Sequence, residues 1–167
     1  MESNAMVVVL ALAGLVVGAT LLGLLLRAKQ TRVRPASADD AAERIRPADL
    51  APPIGETPGA TFAAPEFGER LTLVQFSTET CARCPASARS LAGAADAIDG
   101  VRHVEIDVTR RDDLIRRFSV LRTPTVLVLD AQHRLRARVS GPVSAQHARE
   151  LVEAHASAGR PTERNLA

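Results

Sequence analysis

From Met6 to Leu26 the chain carries no charged side chain, and this run divides the sequence before any other feature is read. At ~1.5 Å per residue it gives roughly 32 Å of helix, enough for a hydrocarbon core of ~30 Å. One transmembrane helix over residues 6–26 is therefore expected, leaving about 140 residues for a single soluble domain of ordinary size. Residues 1–5 form a short leader with no basic residue, whereas a cleavable secretory signal places positive charge ahead of its apolar core. A lipoprotein signal would need its acylated Cys near the end of the run, and the first Cys is Cys81. Ala36-Ser37-Ala38 has the small-x-small look of a cleavage site, but it lies well beyond the run and behind four basic side chains.

Those four, Arg27, Lys29, Arg32 and Arg34, all follow the apolar run. Positive residues flanking a span favour the cytoplasmic side, so the domain is expected on the cytoplasmic face, with the extracytoplasmic face as the alternative. Gly14 and Gly18 form a small-x3-small pair that would let two such helices approach and form a weak homodimer. Glycine is also common in membrane helices, so the spacing can arise by chance.

At 46% hydrophobic and 24% charged, the chain is too apolar to be disordered and too polar for several spans. Its aromatics are Phe62, Phe67, Phe76 and Phe118, so the core must come from Leu, Val, Ile and Ala. Stacking platforms for single-stranded nucleic acid are absent from such a composition. The net charge of +2 comes from dispersed acids and bases, which is no nucleic-acid footprint either.

Residues 27–59 start basic and then collect Pro35, Pro47, Pro52, Pro53 and Pro58 without hydrophobic periodicity, and so read as a linker. If flexible, it gives an rms reach of roughly 30 Å. A short helix over residues 38–46, capped by Ser37 or Asp39, is a candidate within it, and residues 60–64 are a candidate edge strand.

The domain proper spans residues 60–157, followed by a polar tail at 158–167. Leu71-Thr72-Leu73-Val74-Gln75-Phe76 is a short β-rich run suited to a strand buried on both faces. Residues 85–97 show helical spacing and stop at Asp99-Gly100; residues 101–108 alternate as a strand; 110–118 suit a short helix. Residues 125–129 form a third strand, Asp130 to His133 a turn, and 135–140 a fourth strand whose outward Arg134, Arg136 and Arg138 suit a half-exposed edge. Ser144 caps a last helix reaching about His155, which gives the order β-α-β-α-β-β-α.

Cys81-Ala82-Arg83-Cys84 falls where the first of these strands hands over to a helix. A helix start favours thiolate, because its unpaired N–H groups and dipole attract negative charge. Cys81, in the turn, is the expected nucleophile, and Cys84, at the helix start, the resolving thiol. Arg83 either favours the thiolate or is a solvated surface side chain. Zinc would need four ligands, and His103, His133, His147 and His155 stand at no finger spacing; Cu(I) would need only the two thiolates. A structural disulfide closing so short a loop would stabilise little.

Taken in order, Val74-Gln75-Phe76, the Cys81–Cys84 pair, Val104-Glu105-Ile106-Asp107, Phe118-Ser119-Val120, Thr123-Pro124-Thr125 and Gly141 resemble the thioredoxin superfamily. The likeness covers residues 71–155 and is greatest to the membrane-tethered thioredoxin-like proteins of bacteria. It implies an α/β fold with a mixed central sheet flanked by helices, and a cis peptide before Pro124 that stands beside the cysteines. It also implies that the Thr123 backbone and Gly141 border a groove for an extended substrate segment, although a turn glycine would serve at 141 equally.

The departures are specific. Thioredoxins carry Trp before the first Cys and a buried acid six residues before it, where this chain has Thr80 and Gln75. Gln75 cannot accept a proton from Cys84, so reduction of substrates would be slower or would depend on another base. Ala82-Arg83 replaces Gly-Pro between the cysteines, at positions that tune the reduction potential over roughly 150 mV.

These features together predict a membrane-anchored thiol-disulfide oxidoreductase whose Cys81/Cys84 dithiol exchanges with protein disulfides. No G-x-G-x-x-G is present, so no flavin or nicotinamide is expected and electrons would come from an upstream protein donor. The alternative is a tethered module that binds client segments or Cu(I) without turnover.

Overall fold

The computed structural model describes residues 2–28, 31–37, 44–51 and 64–156, and the chain divides into two units, Met1–Arg32 and Val33–Ala167. The first holds helix α1 (Glu2–Ala28). Side chains are described along residues 10–23 of it, where all are exposed. Among the described residues no helix is long and apolar enough to cross a membrane, in contrast to the span expected at 6–26. A Cβ placed at Gly14 or Gly18 meets nothing within 4 Å.

Among the described residues one sheet is formed by five strands: β1 (Arg32–Pro35), β2 (Leu71–Ser77), β3 (Val101–Asp107), β4 (Thr125–Asp130) and β5 (Leu135–Ser140). Their spatial order is β1-β5-β4-β2-β3. β2 runs parallel to β3 and antiparallel to β4, which is antiparallel to β5. Every residue of β2 is buried, which is why its sequence is a continuous apolar run rather than an alternation.

Two hydrophobic clusters cover the two faces of this sheet. Leu71 and Leu73 join Val126, Val128, Ala137 and Val139 beneath helices α2 (Cys84–Asp96) and α4 (Ala145–Ala156). The helices present Leu91, Ala94 and Ala95, and Ala148, Leu151 and Val152, at the three- and four-residue spacing that lines one helical face. On the opposite face, Val74 and Phe76 pack with Leu127, Leu129, Phe118 and Leu114 of the short helix α3 (Asp112–Arg117). Gly100 ends the α2–β3 connection at φ 78°, a left-handed conformation that glycine adopts without strain, and its carbonyl accepts from Arg70 N–H. Ser144 Oγ accepts from His147 N–H at the start of α4, as a cap does.

The structure corrects the reading of 27–59 as a linker. Residues 38–43 and 52–63 lie outside the described residues, and with them most of the candidate helix at 38–46 and the candidate strand at 60–64. Residues 33–37 and 44–51 belong to the folded unit. β1 lies outside β5, and Ala36 N–H donates to Arg136 O at 3.0 Å. Arg44 bridges Arg134, Ile45 N–H donates to His133 O at 2.9 Å, and a 3-10 turn follows at Pro47–Leu50. Ile45 and Leu50, each 2% exposed, complete the cluster around Phe76 and Phe118. Prolines break helical and strand periodicity, yet they do not prevent a segment from burying single anchor residues. β5 is consequently not an edge, and among the described residues the sheet runs from β1 to β3.

Candidate functional site

The register of the sheet gathers three chain segments at one end. Phe76 of β2 stands opposite Thr125 of β4, and Thr125 opposite Ser140 of β5. The turn leaving β2, the loop entering β4 and the residue after β5 therefore converge.

The first of these holds the cysteines. Cys81 N–H donates to Thr78 O at 3.0 Å and Cys84 N–H to Cys81 O at 3.1 Å, so the turn winds directly into α2. Cys81 and Cys84 form a disulfide with their Cα atoms 5.5 Å apart. Pro85 occupies the first turn of the helix, where a missing N–H costs nothing. Cys84 is 2% exposed and Cys81 half-buried, while Thr80 and Arg83 are exposed beside them. An attacking partner from solvent therefore meets Cys81 first.

In the second segment, the Thr123–Pro124 peptide is cis and Pro124 is buried. Thr123 Oγ1 lies 3.2 Å from Thr78 Oγ1, which ties this loop to the cysteine turn. Leu121, just upstream, is 92% exposed. The third segment contributes Gly141, whose N–H donates to Pro124 O at 2.9 Å and whose φ of 109° favours a glycine. Ser87 of α2 then accepts from Val143 N–H at 3.0 Å within the buried interior, fastening the cysteine helix to this segment.

Gln75 lies on the face of β2 turned toward α2 and is fully buried. Its Nε2 donates to Cys84 O at 3.2 Å and to Glu105 Oε1 at 3.1 Å, and its Oε1 is buried without a partner. Glu105 was not among the residues singled out from sequence for a role. It arrives because β2 and β3 pair in parallel register with Gln75 opposite Glu105. Strand positions alone do not supply that register; the equal offset of the two strands from Leu71 and Val101 was the available signal. Glu105, Asp107, Glu79 and the two cysteines line an open cleft of about 420 Å³. On the same strand, burial holds the His103 pKa below its ordinary value, with Glu105 and Asp96 pulling it partly back up.

Among the described residues, no group of three or more His, Cys, Asp or Glu could hold a metal ion. The arrangement is a redox-capable cysteine pair at a helix start, bordered by a cis-proline loop and a side-chain-free backbone position.

The family model named Thioredoxin matches residues 62–154. No curated protein matches the chain. Among solved structures, thioredoxin-2 of the malaria parasite is 21% identical, with 52% of this chain and 84% of that chain covered and a TM-score of 0.48. A chloroplastic thioredoxin z is 28% identical over 55% of this chain and 81% of that chain, with a TM-score of 0.48. StoA from Bacillus subtilis is 17% identical over 53% and 85% of the respective chains, with a TM-score of 0.43.

Proposed function

The chain belongs to the thioredoxin family, and on that premise we propose that it is a membrane-anchored thiol-disulfide oxidoreductase acting on protein disulfides. The observation that carries this reading is the unequal placement of the two cysteines at the start of α2, with Cys84 2% exposed and Cys81 half-buried. In the reduced protein, the Cys81 thiolate attacks a substrate disulfide and forms a mixed disulfide, releasing the first substrate thiolate. Cys84 then attacks Cys81 Sγ, the bond to substrate breaks, and the Cys81–Cys84 disulfide remains. An upstream protein dithiol returns two electrons and resets the pair.

The extended substrate segment runs along the Thr123–Pro124 loop and Gly141, where backbone can approach backbone closely. Residues 6–26 anchor the chain, and Gly14 and Gly18 give that helix a surface for weak pairing. The four basic residues after the run favour the cytoplasmic face, where thiols are kept reduced and the pair would work as a reductant.

Insulin disulfide reduction by the full chain in detergent, with dithiothreitol as donor, tests the activity. Wild type should be active and Cys81→Ser inactive. A wild type that reduces nothing yet retains client peptides or Cu(I) would replace this reading with the binding module. For the topology, a membrane-impermeant thiol reagent should label Cys81 only after lysis of mildly reduced cells; labelling in intact cells would put the domain outside.

A further inference from the structure

The site lacks an acid at Gln75, yet it has a carboxylate one strand away. Glu105 and Cys84 O are both acceptors only, and Gln75 Nε2 lies between them at 3.1 and 3.2 Å. The hydrogen-bond network therefore fixes the amide with its NH2 toward Glu105 and leaves Oε1 as the buried orphan. An amide in this position can orient neighbours, but it takes no proton. Glu105 opens onto the same cleft as Cys81 and Cys84, where its carboxylate accepts from Gln75 Nε2. Asp107, the other β3 acid on the cleft, instead holds Thr109 N–H at 2.7 Å.

Accepting the oxidoreductase reading above, we propose that Glu105 is the proton acceptor for Cys84, with the acid of the site relocated from β2 to β3 through the Gln75–Glu105 register. During resolution of the mixed disulfide, the Cys84 S–H proton passes to the Glu105 carboxylate across the open cleft that both residues line. The Cys84 thiolate forms its bond to Cys81 Sγ, and the Cys81–substrate S–S bond breaks. The departing substrate thiolate takes the electron pair and recovers the proton from Glu105, so one disulfide is reduced as one dithiol is oxidised.

The groups facing Glu105 sharpen this assignment. Glu79 and Asp107 stand around the cleft, His103 shares its strand, and the cysteines close it; among the described residues no Lys or Arg lines it.

The test separates proton transfer from scaffolding, because Glu105→Gln keeps an amide oxygen to accept from Gln75 Nε2 and loses only the titrating group. Reduced full chain in detergent is mixed with 5,5′-dithiobis(2-nitrobenzoate) between pH 5 and 9, and release of the aromatic thiolate is followed. The first release reports attack by Cys81, the second attack by Cys84 on the mixed disulfide. Glu105→Gln is expected to slow the second release at least about tenfold near pH 6–7, to flatten its acid limb, and to leave the first within about twofold. Adding Gln75→Glu to Glu105→Gln should restore the limb. Equal second-phase rates and pH profiles in wild type and Glu105→Gln would overturn the proposal. So would slowing in Glu105→Ala but not in Glu105→Gln, which would make Glu105 a support for Gln75. Because this probe needs no protein substrate, failure of wild type to reduce insulin counts against the oxidoreductase reading, while the two-phase comparison still decides the role of Glu105.

Discussion

Truncating Leu50 to Ala removes a side chain that is 2% exposed and packed in the cluster of Phe76, Leu114, Phe118 and Leu135. Leu50 closes a 3-10 turn that opens at Pro47, and Pro52 follows two residues on. Were this stretch a passive tether, the change would fall within about 0.5 kcal/mol of neutral, as exposed substitutions do. Removal of a fully buried leucine instead costs about 2–5 kcal/mol, from the lost transfer of apolar surface and the cavity left behind. For a domain of roughly 100 residues, each kcal/mol moves Tm by about 4–8 °C, so a loss of at least about 8 °C is expected. Ile45→Ala should act similarly, while Leu121→Ala, at a side chain 92% exposed, should leave Tm unchanged. Thermal unfolding of the oxidised protein by circular dichroism reads all three. A Leu50→Ala midpoint within 2–3 °C of wild type, about what 0.5 kcal/mol would give, would refute the inclusion of residues 44–51 in the folded unit.

Three further expectations follow from the site. At neutral pH, iodoacetamide should modify Cys81 of the reduced protein well before Cys84, as mass spectrometry of quenched samples would reveal; equal rates at both thiols would reverse the assignment of nucleophile. Ser87→Ala strips Val143 N–H of its buried acceptor, a loss of about 1–3 kcal/mol in urea unfolding, and a neutral result would mean that another group takes the bond. Burial keeps the folded-state pKa of His103 below the ordinary 6.5, so its contribution is full above about pH 6.5 and is lost as the pH falls through the folded value. His103→Gln should therefore lose less stability than wild type between pH 7 and pH 5, and identical losses by urea titration would exclude His103 as a source of acid sensitivity.

What the sequence disclosed divides along the range of the interactions involved. The continuous run 71–76 announced a strand covered on both faces, and Cys81-x-x-Cys84 before a helical stripe announced the site, because local pattern is enough for each. Gln75 could be recognised as an acid missing from its family position. Glu105 could not be recognised as a replacement, since its meaning comes from a cross-strand pairing that the alternation of residues 101–108 leaves open. The segment 27–59 misled for a related reason: β1 and residues 44–51 are held by β5 and by the Phe76–Phe118 cluster, partners about a hundred and several tens of residues downstream respectively. Arg136 and Arg138 alternate outward as an edge strand would, but the outward charge reflects other attachments. Arg136 pairs with Asp130 at 2.7 Å, and Arg138 donates to Phe118 O at 2.6 Å.

The position of β1 also bears on how this chain can be cut. It is four residues long, exposed throughout, and ends in Pro35, which has no N–H to offer a further strand. It thus terminates the sheet on that side while occupying Arg136 O through Ala36 N–H. A fragment starting at residue 60, where composition would place the domain boundary, sheds this cover and leaves β5 with a row of unpaired backbone groups above the apolar side chains Leu135, Ala137 and Val139. Such an edge recruits the nearest strand available, and in a concentrated solution that strand belongs to another copy. Self-association of the shortened protein would then be an artefact of the cut, created by removal of a four-residue plug far from the cysteines in sequence.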